Sequence, residues 1–169
     1  MYKLRNLWIR LQSEVNTKWK RTLPFGDYIV DRWERAKAMG FGEGTSVYDS
    51  CLVLGDVKVG QNTWIGPFTV LDGSGGLEVG SYCSISAGVQ IYSHDSSKWA
   101  VSGGKSAYEY ASVRIGDRCY IGPNTVVSKG VTIGHGSVIG ACSLVLSDVP
   151  ENSMACGIPC KILEVTYIK

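Results

Sequence analysis

The sequence lacks any apolar run that approaches the about 18 residues of a membrane-spanning helix, and its N-terminus lacks the apolar core and small-residue cleavage site of a signal peptide. These absences predict a cytoplasmic protein. Histidine is also scarce, with two residues in 169, and the six cysteines show no CxxC or zinc-type spacing. We therefore expect no metal site and reduced thiols.

Positive charge is concentrated in one segment. The net charge is +2, but the first 22 residues hold six basic residues against Glu14 alone, which leaves 11 basic and 14 acidic residues in the rest of the chain. The rest of the chain therefore has no excess of positive charge with which to hold nucleic acid. No nucleic-acid partner is expected.

What the sequence has in abundance is glycine, with 21 residues, together with a six-residue repeat. Over Val113–Pro150 an aliphatic residue recurs at every sixth position, and a small or β-branched residue follows it four places later. The aliphatic positions are Ile115, Ile121, Val127, Ile133, Ile139 and Val145, and the small positions are Cys119, Thr125, Val131, Ser137, Ser143 and Val149.

A period of six fits neither an amphipathic helix nor a single strand, whose periods are near 3.6 and 2. It fits short parallel strands joined by tight corners, with one strand on each side of a coil. Three sides give coils of about 18 residues that stack about 4.8 Å apart. We predict an all-β solenoid, the hexapeptide form of the parallel β-helix.

An earlier series, Val47–Leu77, has the same period but is displaced by two residues from the later one. An insertion of two residues keeps each side chain on its side of the strand, because side chains alternate with a period of two. We predict one continuous solenoid with a bulged corner near Gly73–Gly76. Cys51, Cys83 and Cys119 fall at small inward positions, where a thiol is a compact apolar filler.

Residues 1–45 are predicted to form a helical segment before the solenoid. A second helix is expected over Asp27–Met39, with Asp27 as the N-cap and Gly40 at the C′ position. The first helix is amphipathic, and it either lies on an anionic membrane surface through residues 1–22 or packs on the solenoid or on another subunit. Its apolar stripe consists of Leu4, Leu7, Trp8, Leu11, Val15 and Trp19.

The repeat stops over residues 92–112, inside a solenoid that otherwise occupies residues 46–163. This insertion contains three tyrosines and a tryptophan. Long irregular insertions are uncommon unless they are functional or disordered, and the aromatic content argues against disorder. We predict that this insertion forms the functional site of the protein. The last apolar residues are expected to form a strand or short helix over the open end of the solenoid, followed by a tail at 164–169.

The segment IGDRCYIGPNTVVSKGVTIGHGSVIGACSLVLSDVPENSMACGIPCKI resembles the hexapeptide-repeat acyltransferases, in particular the maltose and galactoside O-acetyltransferases and the bacterial polysaccharide O-acetyltransferases. The resemblance covers residues 47–162. It implies a left-handed coil and a homotrimer with active sites between subunits. It also implies an acetyl-CoA-dependent O-acetyltransferase that acts on a hydroxyl of a sugar in a glycan or glycan precursor.

By this resemblance the catalytic residue is His94, which follows a repeat and opens the inserted loop. A sugar hydroxyl is a poor nucleophile at neutral pH, so an imidazole would accept its proton as it attacks the acetyl thioester. Aromatic faces in the loop could stack on a sugar, and carboxylates could bind its hydroxyls. The acceptor-binding candidates are Asp95, Trp99, Tyr108, Glu109 and Tyr110.

The resemblance also implies that acetyl-CoA lies along the outer edge of the C-terminal coils. Lys161, in a turn that begins at Gly157, would bind phosphate as a point charge. Glu164 departs from the family, since a second basic residue is common there, and Lys129 is a candidate to compensate. The cofactor-binding candidates are Tyr120, Gly122, Gly140, Ala141, Ser147, Pro159 and Lys161, and Ser147 stands where many relatives have Lys.

Three alternatives remain at this point. N-acetylation of an amino sugar or a nucleotide-linked amino sugar would use the same base. A zinc hydratase of this fold would need three histidine ligands, whereas the chain has only His94 and His135. A non-catalytic scaffold would have no need for a histidine in an aromatic loop.

Overall fold

The repeat forms a three-sided parallel β-solenoid in the computed structural model, which describes residues 2–163. The predicted fold is confirmed. Each side is a column of short strands that pair in parallel from one coil to the next. The first side contains β1 (Ser46–Val47), β3 (Trp64–Ile65), β5 (Ser84–Ile85), β10 (Tyr120–Ile121), β13 (Val138–Ile139) and β15 (Met154–Cys156).

The other two sides share their longest strands, which bend around a corner. The second side contains the first parts of β2 (Leu52–Val59) and β4 (Val70–Val79), followed by β6 (Gln90–Ile91), β11 (Val126–Val127) and β14 (Leu144–Val145). The third side contains the last parts of β2 and β4, followed by β9 (Val113–Ile115) and β12 (Thr132–Ile133), with a bridge from Ile133 to Val149.

The two-residue displacement of the repeat lies where β2 pairs with β4. Gly55 pairs with Gly73, but Val57 pairs with Leu77, so the register shifts between these pairs. A Cβ on Gly73 would lie 2.3 Å from the carbonyl oxygen of Asp56, so the bulge requires glycine there. The predicted bulge is confirmed.

The aliphatic positions of the repeat point inward and form the core, and the small inward positions pack between them. Among the small positions, the hydroxyl of Thr125 donates to the carbonyl of Gly140 (3.0 Å), and that of Ser137 donates to the carbonyl of Pro150 (2.8 Å). Buried polar side chains therefore link neighbouring coils. The fully buried aliphatic residues include Val47, Ile65, Leu71, Ile85, Ile91, Ile121, Val127, Ile133 and Ile139.

All six thiols are free, and Cys83 and Cys119 are buried as inward fillers. Cys83 and Cys119 therefore occupy the inward positions predicted for them. Cys142 is exposed at a corner, while Cys51 is half-buried against the core.

The N-terminal segment is helical, but its second helix is divided. The prediction of one helix over Asp27–Met39 is wrong, because Val30 is extended and Asp31 is the N-cap, accepting a hydrogen bond from the Trp33 N–H at 2.7 Å. Gly40 does adopt the left-handed conformation that was predicted for it. The helices before the solenoid are α1 (Tyr2–Trp19), α2 (Phe25–Ile29) and α3 (Arg32–Ala38).

Elements outside the regular repeat adjoin both ends of the solenoid. Ala36 of α3 and Phe41 are buried with the core at the first coil. At the last coil, β16 (Lys161–Leu163) pairs antiparallel with β15, as the sequence predicted for a terminal strand. Glu164 and the predicted tail lie outside the described residues. No helix within residues 2–163 is both long enough and apolar enough to cross a membrane.

Candidate active site

The inserted loop leaves the solenoid at the corner between the second and third sides and folds back on itself. It contains β7 (His94–Asp95), α4 (Ser97–Val101) and β8 (Glu109–Tyr110). The strands β7 and β8 pair antiparallel, with His94 opposite Tyr110 and Asp95 opposite Glu109. The loop therefore presents His94 on a short hairpin whose two ends are both attached to the same corner.

The imidazole of His94 is held by a buried carboxylate. Its Nδ1 lies 2.6 Å from Oδ2 of Asp72, a residue of β4 in the preceding coil that has no exposed surface. The same carboxylate accepts hydrogen bonds from the Ser93 N–H (3.0 Å) and from the N–H and hydroxyl of Ser74 (3.0 and 2.5 Å). An ionised Asp72 can only accept, so Nδ1 of His94 is the donor, and in the neutral imidazole the lone pair is on Nε2.

Asp72 is ionised despite its burial. Burial alone would raise the pKa of this carboxyl, but the hydrogen bonds from Ser74, His94 and Ser93 lower the pKa well below its usual range. A negative charge is therefore present beneath the imidazole throughout the neutral range, and it can stabilise the imidazolium that forms when Nε2 takes up a proton.

Aromatic rings surround His94 on its outer side. Tyr108 is stacked at a centroid distance of 6.5 Å, Tyr110 is tilted at 6.3 Å, and Tyr92 meets the imidazole edge-on at 6.4 Å. Trp99 meets Tyr108 edge-on at 5.5 Å. The His94 side chain is 32% exposed, so an acceptor can reach the ring from solvent. The structure thus brings the predicted aromatic residues Trp99, Tyr108 and Tyr110 together with His94.

The two predicted acceptor-binding carboxylates belong to an ion-pair network that attaches the loop to the solenoid. Lys129 Nζ lies 3.1 Å from Asp95 Oδ2 and 3.2 Å from Glu109 Oε2, and Glu109 also pairs with Lys98. A hydrogen bond from the Ser97 N–H, followed by the contact with Lys129, lowers the pKa of Asp95 to about 2. Lys98 and Lys129 lower the pKa of Glu109.

The position of Lys129 corrects one expectation. Lys129 was a candidate to bind coenzyme phosphates, but it lies beneath the inserted loop. Its two carboxylate partners, Asp95 and Glu109, raise the pKa of its ammonium group. Lys129 therefore holds the inserted loop, and Lys161 is left as the cation among the cofactor-binding candidates.

Most of the cofactor-binding candidates lie at a different corner, between the first and second sides. Gly122 follows β10 and Gly140 follows β13, and these strands pair directly. A Cβ on Gly122 would lie 2.5 Å from the backbone nitrogen of Ala141, so successive coils approach closely at this edge. Tyr120 is 41% exposed just before it. Ala141 is exposed at this corner, and we call the surface formed by Gly122, Gly140 and Ala141 the Ala141 edge.

The remaining cofactor-binding candidates lie at the C-terminal coil or elsewhere. Pro159 and Lys161 are exposed in the terminal turn, where Lys161 pairs with Cys156 across the β15–β16 ladder. Ser147 is exposed after β14, at the corner that also bears Lys129. The structure therefore separates Ser147 from Tyr120, Gly122, Gly140 and Ala141.

The second histidine, His135, has different surroundings from His94. Nδ1 of His135 lies 3.1 Å from Oε2 of Glu151 on the outer surface, where both side chains are exposed. Within residues 2–163 no group of three or more histidine, cysteine or acidic side chains is arranged to hold a metal ion.

The sequence interpretation missed Asp72, the direct partner of His94, and with it Ser74 and Ser93, which donate to the Asp72 carboxylate. The available signal was an acidic residue directly after the inward Leu71, at the point where the repeat changes phase.

The segment 105–147 matches the family model described as "Bacterial transferase hexapeptide (six repeats)". This segment is therefore similar to the hexapeptide repeat of bacterial transferases. It is 47% identical over 51 residues to the galactoside O-acetyltransferase of Escherichia coli K12, a match that covers 30% of this chain and 25% of that relative. The chain thus matches only a quarter of that relative's length.

Two solved structures have the same fold. One is AntD, an N-acyltransferase from Bacillus cereus in complex with dTDP and 3-hydroxybutyryl-CoA, with a TM-score of 0.67 and 23% identity over 73% of this chain and 70% of AntD. The other is a hexapeptide-repeat acetyltransferase from Vibrio cholerae in complex with acetyl coenzyme A, with a TM-score of 0.57 and 23% identity over 99% of this chain and 89% of the other.

Proposed function

We propose that the protein is an acetyltransferase that transfers an acetyl group from acetyl-CoA to a hydroxyl of a sugar in a glycan or glycan precursor, with His94 as the general base. The observation that carries this proposal is the contact between His94 and the buried Asp72 at the base of an aromatic loop. The match to galactoside O-acetyltransferase supports the choice of a sugar acceptor.

The residues of the loop account for each step that the chain must perform. Exposed rings of Trp99, Tyr108 and Tyr110 can stack on the apolar face of a sugar. Nε2 of His94 accepts the hydroxyl proton as the acceptor oxygen bonds to the acetyl carbon, and the imidazolium returns this proton to sulfur as the C–S bond breaks. Asp72 fixes the Nδ1–H tautomer throughout.

The coenzyme supplies the activated acetyl group as a thioester. On the Ala141 edge, the exposed Ala141 suits an extended arm, because its small side chain lets a ligand approach the backbone. Lys161, exposed at the end of this edge, provides a positive charge for phosphate. The residues present therefore fit acetyl-CoA.

A complete site requires a second copy of the chain. The His94 corner and the Ala141 edge lie at opposite ends of the second side, so one chain presents the base and the coenzyme edge at different corners. In a homotrimer the His94 corner of one subunit can face the Ala141 edge of its neighbour. We therefore include a homotrimer in the proposal.

Mixed assemblies test this arrangement. We expect His94→Ala and Ala141→Trp each to be inactive alone, and their mixed trimers to recover about a third of wild-type activity, because one of the three interfaces in each mixed trimer joins two intact corners. Co-expression of differently tagged chains, followed by purification through both tags, provides the sample.

The matched control combines His94→Ala with Asp72→Asn, which damage the same corner and should not restore activity. Failure of both mixtures to recover activity would contradict a site shared between subunits.

N-acetylation is the second candidate function, because AntD is an N-acyltransferase with the same fold. The same base could take a proton from an ammonium group. Neutral sugars, amino sugars and nucleotide-linked amino sugars should therefore be compared as acceptors. An ester product is cleaved by mild alkali, whereas an amide product survives it, so the product itself separates the two functions.

The direct test of the proposed function is release of CoA from acetyl-CoA across this acceptor panel. We expect release that depends on the acceptor, with an alkali-labile product. A control without acceptor is needed because the six cysteines of the protein react with thiol reagents. If no acceptor gave release while galactoside O-acetyltransferase was active in the same assay, the proposal would fail.

A further inference from the structure

The apolar stripe of α1 is largely uncovered. None of the 18 residues of α1 is buried, and the exposed fractions of Leu4, Trp8 and Trp19 are 58%, 37% and 59%. Among residues 2–163 the main contact of α1 is with α2, and Leu7, Leu11 and Val15 are partly covered whereas the other three residues of the stripe stay exposed. An apolar face that no residue within 2–163 covers is typical of a helix that binds a partner.

Exposed apolar side chains are also present on α2 and α3. Large exposed apolar side chains are concentrated in this part of the protein, whereas those of the solenoid are spread over its sides and loop. The N-terminal members are Tyr2, Leu4, Trp8, Ile9, Trp19, Phe25, Ile29, Val30, Trp33 and Met39. Aromatic residues, tryptophan above all, are typical of the boundary between a bilayer and water.

Charge indicates which partner this surface fits. The basic residues of α1 and its extension lie beside the stripe, and the one ion pair found along α1 within the described residues is Arg10–Glu14, at 3.9 Å and exposed. Two such helices from two copies would repel each other, whereas an anionic surface would attract both. The basic residues are Lys3, Arg5, Arg10, Lys18, Lys20 and Arg21.

We propose that α1 binds an anionic lipid bilayer, lying in the plane of the headgroups with its apolar stripe turned into the acyl boundary. The helix is about 27 Å long at about 1.5 Å per residue, but it carries too many charges to cross. Leu4, Trp8 and Trp19 enter the bilayer, and the basic residues contact lipid phosphates. This places the solenoid, which follows α3, at the membrane surface.

Co-sedimentation with vesicles tests the proposal on the full chain. We expect binding to phosphatidylcholine vesicles that contain phosphatidylglycerol, weak binding to phosphatidylcholine alone, and release by salt. Leu4→Ser/Trp8→Ser should weaken binding to the anionic vesicles about tenfold or more. Lys3→Gln/Arg5→Gln/Lys18→Gln should weaken it about tenfold or more and reduce its salt dependence.

The matched control is Asn6→Ser/Thr17→Ser on the polar face of α1, which should bind vesicles as the wild type does. Because the substituted side chains are exposed, circular dichroism should show every variant folded. Absence of binding by the wild type, or full binding by Leu4→Ser/Trp8→Ser, would overturn the proposal. If that variant instead changed the oligomeric state while the wild type ignored vesicles, the stripe would be an interface between copies, which also overturns it.

Discussion

Replacement of His94 by alanine should lower kcat for acetyl transfer by about 10²- to 10⁴-fold, because the acceptor oxygen would lose the base that removes its proton. The Michaelis constant for acetyl-CoA should change little, since the residues proposed to hold the coenzyme, around Ala141 and Lys161, do not include His94. Steady-state CoA release with the best acceptor of the panel, measured for wild type and variant side by side, provides both constants.

The chain offers an internal control for this experiment. His135 is its only other histidine, and it makes an exposed ion pair with Glu151 on the outer surface. His135→Ala should therefore keep wild-type kcat. If His94→Ala kept wild-type kcat as well, or if His135→Ala lost activity equally, the assignment of His94 as the base would be wrong.

The fold could be predicted from the sequence because a solenoid is specified locally. Each coil repeats the same inward pattern, so the period of six, the three sides and the two-residue displacement could all be inferred before any contact was known. The division between α2 and α3 could not be predicted. Asp27 and Asp31 are equally suitable N-cap residues by sequence, and nothing local indicates that the chain is extended at Val30 and that the second helix begins after Asp31.

The site was only partly predictable, for a related reason. His94 and its aromatic neighbours lie within one irregular insertion, which marks them in the sequence. Asp72 lies 22 residues before His94, whereas residues that stack in successive regular coils are 18 residues apart. The contact between Asp72 and His94 therefore depends on the bulge, which a regular repeat does not predict. The position after Leu71 would ordinarily face outward, and it is the inserted loop that buries Asp72.

The second large effect is expected for Asp72→Asn, which should lower kcat by about 10²-fold or more without raising either Michaelis constant, because the wrong histidine tautomer is favoured. An asparagine that keeps the contact with Ser74 through its oxygen turns its amide NH₂ toward Nδ1 of His94. The proton of the imidazole then moves to Nε2, which can no longer accept the proton of the acceptor.

Asp72 is proposed as a positioning residue, so the decisive measurement is which nitrogen of the His94 ring carries the proton. Nitrogen NMR of histidine-labelled protein reports which ring nitrogen carries the proton, and the exposed His135 serves as the reference signal. We expect the Nδ1–H form of His94 in the wild type and the Nε2–H form in Asp72→Asn. Lost activity with an unchanged tautomer would show that Asp72 supports the fold and not the base.

The same substitution has a stability effect whose pH dependence follows from the lowered pKa of Asp72. An ionised Asp72 contributes stability above the ordinary aspartate pKa of about 3.9, and this contribution is lost as the pH falls toward its lower folded value. At neutral pH, Asp72→Asn should cost about 1–3 kcal/mol, because the Ser93 N–H loses its acceptor inside the protein. Urea unfolding should show this difference at pH 7 and a smaller one in acid, as protonation weakens the wild type. A difference that grew in acid would contradict an ionised Asp72 beneath His94.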